Sequence, residues 1–114
     1  MIFVIDDDRT MAECVGRATK DDFIIFDNAI EAMMAISDGK LPSLVFLDIL
    51  LDGPDGFTFL NELMSYSDTA KIPIVIISSL NFEGQDFSKY GVVGVLNKDN
   101  MLPVEIRSYV KRYA

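Results

Sequence analysis

Five short apolar runs recur along the chain, and their regular spacing constrains the fold more than any other feature. The runs are rich in isoleucine, valine and phenylalanine and lie at residues 2–5, 23–26, 44–47, 74–77 and 92–96. Nearly continuous apolar runs are typical of strands that are buried on both faces of a parallel sheet. Helix-like segments separate the runs, so the chain reads as five strand–helix units. This alternation predicts an open, doubly wound α/β sheet with right-handed crossovers.

Apolar residues at helical spacing mark the segments between the predicted strands. They are Met11, Val15 and Ala18, with Cys14 beside them, then Ile30, Met33 and Met34, and then Phe57, Leu60, Leu63 and Met64. We interpret the methionines as core residues that fill gaps in the packing, and Cys14 as an inert side chain on the apolar side of its helix. A fourth helix is predicted around residues 81–90, although Gly84 lies inside it, and a last helix begins near Pro103.

Composition excludes several classes of function. The chain has 114 residues, enough for one domain. The absence of histidine excludes histidine-based catalysis and histidine metal sites, and the single cysteine excludes an internal disulfide and multi-cysteine metal sites. A formal net charge of −8 disfavours binding to nucleic acid. No apolar run approaches the ~18 residues of a membrane span and no export signal is visible, so we expect a cytoplasmic protein without membrane insertion.

Polar side chains follow four of the predicted strands directly. The residues are Asp6, Asp7 and Asp8 after the first strand, Asp48 after the third, Ser78 after the fourth, and Asn97 with Lys98 after the fifth. Ligands of doubly wound sheets bind at the carboxyl ends of the strands. The predicted fold therefore brings carboxylates, a hydroxyl and an ammonium group to one edge of the sheet.

This set of side chains favours metal-assisted chemistry on a phosphoryl group. Carboxylates ~4 Å apart repel one another by about 4 kcal/mol per pair at an effective dielectric constant near 20, so the cluster takes up protons or binds a cation. Oxygen ligands favour Mg²⁺, with Mn²⁺ as the alternative. A metal beside a nucleophilic carboxylate, a lysine and a hydroxyl suits phosphoryl transfer. Taken singly, Asp8 can be read as a helix cap, and Asp6 and Asp7 are equally well read as capping or solvated surface residues. A single lysine such as Lys98 is more often a solvated surface charge.

At these positions the sequence resembles the receiver domains of two-component response regulators, close in size and layout to single-domain chemotaxis regulators. The resemblance covers the whole chain. It rests on FVIDD at residues 3–7, LVFLD ending at Asp48, Asp55-Gly56, IVIISS at residues 74–79, and Gly91 followed by Asn97-Lys98. The resemblance implies a flavodoxin-like fold with a five-stranded parallel sheet in the order 2-1-3-4-5, five helices, and a single receiver domain over residues 1–114.

The resemblance also implies a role for each matching residue. Asp48 would accept a phosphoryl group from a phosphohistidine of another chain. Asp6 and Asp7 would hold Mg²⁺, together with Asp48 and the main-chain carbonyl of Leu50. Lys98 would pair with the phosphoryl oxygens, and the Ser78 hydroxyl would donate a hydrogen bond to one of them.

The function that follows from the resemblance is that of a switch rather than an enzyme with an external substrate. The chain would catalyse only its own phosphorylation and dephosphorylation. A histidine kinase or a histidine phosphotransfer protein would be the donor, and a downstream protein would be the target. We expect a stand-alone receiver that passes its signal by protein–protein contact.

The sequence departs from the family pattern at several positions. Asp52 and Asp99 stand where prolines are usual, and Val95 stands where an aromatic residue is usual. Leu50 and Leu80 are bulky apolar residues at positions that flank the path of the hydrolytic water in the family, which predicts slow autodephosphorylation. The alternative function is a receiver-like interaction module that works without phosphorylation. A phosphatase with an aspartyl nucleophile is disfavoured, because the best nucleophile follows the third strand instead of the first.

Overall fold

The five apolar runs form five strands of one parallel sheet in a computed structural model, which describes residues 1–49, 56–79 and 90–114. The strands are β1 (Ile2–Ile5), β2 (Phe23–Phe26), β3 (Leu44–Asp48), β4 (Ile74–Ser78) and β5 (Val92–Asn97). The helices of the described residues are α1 (Arg9–Thr19), α2 (Ala29–Ser37), α3 (Gly56–Met64) and α4 (Pro103–Tyr113). Each predicted strand is confirmed to within one residue. The fourth predicted helix lies outside the described residues except for Tyr90.

The sheet has the order β2-β1-β3-β4-β5, which confirms the predicted doubly wound, flavodoxin-like arrangement. β1, β3 and β4 occupy the middle and are buried along their whole length. β2 and β5 are half-buried, because each lies at an edge and has a neighbouring strand on one side. The expectation that every strand is buried on both faces is therefore wrong for the two edge strands.

Two apolar layers enclose the sheet. One contains Phe3, Ile5 and the buried residues of α2 and α3, and the other contains Ile2, Val4 and the buried residues of α1 and α4. Gly16 allows α1 to approach β2 closely, because a Cβ at this position would overlap the ring of Phe23. None of the helices in the described part of the chain combines the length and the apolarity that crossing a bilayer requires.

Met33 packs against the core as predicted, whereas Met34, Met64 and Cys14 differ from the sequence-based interpretation. α2 buries Ala29, Ala32 and Ile36, because the small alanine side chains let the helix lie close to the sheet. Met34 consequently points outward and is 61% exposed. Met64 and Cys14 are also exposed, so the prediction that they lie in or beside the core is wrong.

Candidate functional site

The carboxyl ends of β1, β3, β4 and β5 bring the predicted site residues to one edge of the sheet. Asp6 follows β1 directly, and Asp48 is the last residue of β3. β3 and β4 are in register with Asp48 opposite Ile77, and β4 and β5 with Ser78 opposite Asn97. Parallel pairing thus places residues that are far apart in sequence side by side, as expected for this class of sheet.

Lys98 is the cation at the centre of this edge. Its Nζ atom lies 3.0 Å from Oδ2 of Asp48 and 3.0 Å from Oδ2 of Asp6, and it donates hydrogen bonds to Asp48 Oδ2 and to Asp6 Oδ1 at 3.3 Å. The side chains of Asp6 and Asp48 are 3% and 6% exposed, and that of Lys98 is 16% exposed. Little water screens these contacts, so they are stronger than ion pairs on the surface.

Three carboxylates converge beside Lys98. Asp6, Asp7 and Asp48 can each contribute one oxygen to a group in which all ligand atoms lie within 4.8 Å of one another. Asp6 and Asp48 are buried, whereas Asp7 is exposed and connects the cluster to solvent. Oδ2 of Asp6 is fully buried and accepts no hydrogen bond from the described residues, although the Lys98 ammonium faces it as an ion-pair partner. The available ligand atoms are all oxygens, and one of them is a buried carboxylate oxygen without a hydrogen bond from the described residues. Such a group of ligands fits a hard divalent cation such as Mg²⁺ or Mn²⁺.

Burial and charge shift two pKa values at this site. Burial raises the pKa of the Asp6 carboxyl above its ordinary value of 3.8, and this effect outweighs the hydrogen bonds from the Asp8 main chain and from Lys98. For Lys98, burial alone would lower the pKa, but the contacts with Asp48 and Asp6 reverse this and raise it above 10.5. Lys98 is therefore a fixed positive charge at neutral pH.

Asp8 belongs to the helix rather than to the carboxylate cluster. Its side chain accepts a hydrogen bond from the Met11 main-chain N–H at 3.2 Å and caps the N-terminus of α1. Its own N–H donates to Oδ1 of Asp6 at 2.9 Å. Of the two sequence-based readings of Asp8, the helix cap is confirmed, and the same turn orients Asp6.

Asn97 holds the turn that carries Lys98, a role that the sequence analysis missed. Its Oδ1 accepts a hydrogen bond from Asp99 N–H at 2.8 Å, and its carbonyl accepts from Asn100 and Met101. The Lys98 N–H donates to the Ser78 carbonyl at 3.0 Å. An asparagine directly before a turn is the sequence signal for such an arrangement.

Of the remaining predicted site residues, the structure describes some and leaves others outside its described range. Ser78 is buried at the end of β4, on the same edge as Asp48. Leu50, the predicted main-chain metal ligand, lies outside the described residues, as do Asp52 and Leu80. Val95 is 42% exposed on β5. Gly56, the first residue of α3, lies beside the end of β3, because its N–H donates to the Ile49 carbonyl at 3.1 Å.

Comparison with known proteins identifies the class to which this fold and site belong. Residues 2–111 match the response regulator receiver domain family, and the chain therefore belongs to this family. Receiver domains are signalling switches that accept phosphoryl groups from histidine kinases and bind a divalent metal at an acidic cluster. The recognition made from the sequence is confirmed.

Individual relatives agree with this assignment. Response regulator PleD of Caulobacter vibrioides is 31% identical over 83 residues, which cover 68% of this chain and 18% of PleD. The receiver domain of NtrX from Brucella abortus has a TM-score of 0.83 at 26% identity and covers 98% of this chain and 96% of its own. The Mn²⁺-bound form of response regulator Rcp1 has a TM-score of 0.77 at 21% identity, with coverage of 95% and 89%. The chain spans 18% to 30% of the length of the curated relatives that it matches.

Proposed function

We propose that Asp48 is the phosphoacceptor of this receiver domain and that the transfer depends on Mg²⁺. An oxygen of Asp48 would form a bond to phosphorus while the bond from phosphorus to the histidine nitrogen of the donor breaks. The other ring nitrogen of the phosphohistidine carries a proton, so the imidazole leaves in its neutral form and the charge that accumulates lies on the phosphoryl oxygens. The protein must therefore supply positively charged or hydrogen-bonding groups that offset this charge.

The observation that carries the proposal is the contact of Lys98 with both Asp6 and Asp48. The ammonium lies 3.0 Å from Asp48 Oδ2, so a phosphoryl group on that carboxylate would be formed within reach of a fixed positive charge. The buried Ser78 hydroxyl on β4, the strand that pairs with β3, would donate a hydrogen bond to a phosphoryl oxygen. Lys98 and Ser78 thus have positions suited to the roles that the sequence predicts for them.

Asp6 and Asp7 would hold the metal together with Asp48. Oδ2 of Asp6 is buried without a hydrogen bond from the described residues, and Asp7 lies beside it at the surface. When bound, Mg²⁺ supplies positive charge that neutralises the carboxylates and the phosphoryl oxygens. The Mn²⁺ bound to Rcp1, which shares the fold, supports a divalent site in this chain. The Leu50 carbonyl as a further ligand stays a prediction.

The partners are proposed from the chemistry of the acceptor. Because these 114 residues contain no histidine, we propose that the phosphohistidine donor lies outside them, on a histidine kinase or a histidine phosphotransfer protein. We propose that the phosphorylated domain then binds a downstream protein in the cytoplasm. The stand-alone, single-domain arrangement and the slow autodephosphorylation stay predictions.

The experiment is intact-mass spectrometry after incubation with acetyl phosphate, with and without Mg²⁺. We expect the wild type to gain one phosphoryl group only with Mg²⁺, and Asp48→Asn to gain none. Asp22→Asn is the matched control, because Asp22 is exposed and has no role at the site. A folded wild-type protein that binds Mg²⁺ and gains no mass would contradict the proposal and support the phosphorylation-independent interaction module.

A further inference from the structure

An apolar groove between α2 and α3 lies exposed on the face of the molecule that carries these two helices. Two adjoining depressions of about 350 and 430 Å³ form it, and they share Met33, Ser37 and Glu62. Ile36 and Leu63 lie at its base. Ile30, Met34 and Tyr66 line it and are 47%, 61% and 57% exposed. Large apolar side chains exposed together are typical of interaction surfaces.

The charges around this groove have one sign. Asp38, Glu62 and Asp68 line the depressions, and no lysine or arginine of the described residues lines either of them. An occupant with lysine or arginine beside its apolar residues would pair with these carboxylates, whereas an acidic occupant would be repelled. The groove therefore favours a cationic partner.

The groove is preformed and separate from the phosphoacceptor. Thr69 forms part of its wall, and its hydroxyl donates to the carbonyl of Leu63 at 2.5 Å and faces that of Tyr66 at 3.3 Å. These contacts fix the segment that follows α3. Ser37 ends α2 and Thr69 precedes β4, so this part of the groove lies towards the amino ends of the strands, whereas Asp48 lies at their carboxyl ends.

We propose that this groove binds a cationic amphipathic helix of a partner protein. Two neighbouring helices leave a furrow into which a third helix packs through residues spaced three and four apart. Residues 30–37 of α2 line it over about 10 Å at 1.5 Å per residue, which matches two turns of such a helix. Methionine side chains adapt their shape to an apolar partner, so Met33 and Met34 suit this role. The proposal does not depend on phosphorylation of Asp48.

The test uses a synthetic helix of about 15 residues with leucine on one face and lysine on the other. Two-dimensional NMR of the ¹⁵N-labelled protein would follow its binding. We expect saturable shifts confined to α2, α3 and the segment that follows α3. Glu62→Lys should weaken binding about tenfold, and Met34→Gln should weaken it to a similar extent. Asp22→Lys changes the net charge equally outside the groove and should alter affinity less than about twofold.

Three outcomes would overturn the proposal. The first is no shift in the groove, or shifts centred on α4 or on the carboxyl edge of the sheet. The second is equal binding of a peptide in which glutamate replaces every lysine. The third is self-association of the protein through these residues in sedimentation experiments, which would make a second copy the occupant. Asp48→Asn should bind the peptide like the wild type, so failure here is distinguishable from failure of the phosphoacceptor.

Discussion

Lys98 balances the charge of two buried carboxylates at the edge of the sheet. Its ammonium contacts Asp6 and Asp48, and both of these side chains are almost inaccessible to water. Removing one partner of a buried ion pair is costly, because the remaining charge has lost its compensation and still lies away from water. Lys98 is thus important for folding as well as for the proposed phosphoryl transfer.

Replacing Lys98 with methionine should destabilise the protein most when Mg²⁺ is absent. We expect Lys98→Met to lower the free energy of unfolding at pH 7 by about 3 kcal/mol without Mg²⁺, and by less with it, since the metal supplies positive charge to the same carboxylates. Urea denaturation measures both values. Lys71→Met removes an exposed lysine and should change stability by less than about 0.5 kcal/mol. Equal effects of the two substitutions would contradict this account.

Asp6 makes the stability depend on pH in a defined direction. Burial raises the pKa of its carboxyl in the folded state above 3.8, so the folded protein binds the proton more tightly than the unfolded chain does. The contribution of Asp6 to stability is therefore greatest at low pH and is lost as the pH rises through the folded-state pKa. Without Mg²⁺, wild type should gain stability relative to Asp6→Asn as the pH falls from 7 towards 4.

Urea denaturation of the wild type and of Asp6→Asn between pH 7 and pH 4 measures the difference in their free energies of unfolding. With Mg²⁺ present, the wild type should instead lose stability relative to Asp6→Asn as the pH falls. Protons compete with the metal for Asp6, so the stabilisation by Mg²⁺ should shrink on acidification. A difference that decreases on acidification without Mg²⁺ would show that the folded-state pKa of Asp6 is lowered instead of raised.

The three aspartates that follow β1, residues 6–8, have two different roles, one in a helix and the other in the site. Asp8 caps α1, whereas Asp6 and Asp7 belong to the carboxylate cluster. We expect Asp8→Ala to lower the free energy of unfolding by about 1 kcal/mol, and Asp8→Asn to retain most of the stability, because asparagine also caps helices. Neither substitution should reduce the rise in melting temperature caused by Mg²⁺. Loss of that rise in Asp8→Ala would show that Asp8 is needed for the metal.

The sequence predicts the strands and the edge on which the site lies, for identifiable reasons. The apolar runs are long enough to indicate buried strands, and parallel pairing then places Asp6, Asp48 and Lys98 at a common edge. The contact of one ammonium with two carboxylates could not be predicted, because it depends on side-chain conformations and on the turn held by Asn97.

The orientation of α2 shows a second limit of the sequence pattern. Ile30, Met33 and Met34 form a stripe at helical spacing, but Ala29, Ala32 and Ile36 form another. The second stripe faces the sheet, whereas Ile30 and Met34 are exposed. Periodicity identifies both stripes and does not distinguish them. The choice depends on how closely the helix can approach the strands, which is a property of the packed molecule.

At the scale of the whole molecule, metal binding should be visible as global stabilisation. A ligand that binds only the folded state stabilises it by about 2.7 kcal/mol at a concentration about 100-fold above its Kd. We expect Mg²⁺ to raise the melting temperature of the wild type. Asp7→Asn should remove most of this rise without loss of folding, because Asp7 is exposed.

Differential scanning calorimetry with and without Mg²⁺ measures this effect. Asp22→Asn removes an exposed carboxylate away from the site and should keep the full rise. If Asp7→Asn and Asp22→Asn respond to Mg²⁺ to the same extent, the stabilisation does not come from the carboxylate cluster.

Chemical identification of the modified residue tests whether folding makes Asp48 the phosphoacceptor. After phosphorylation with acetyl phosphate and Mg²⁺, borohydride reduces an aspartyl phosphate to homoserine, and tandem mass spectrometry of the peptides locates that residue. We expect homoserine at position 48 in the presence of Mg²⁺ and none in its absence. Homoserine at position 6, 7 or 8, or at position 48 to the same extent without Mg²⁺, would contradict it.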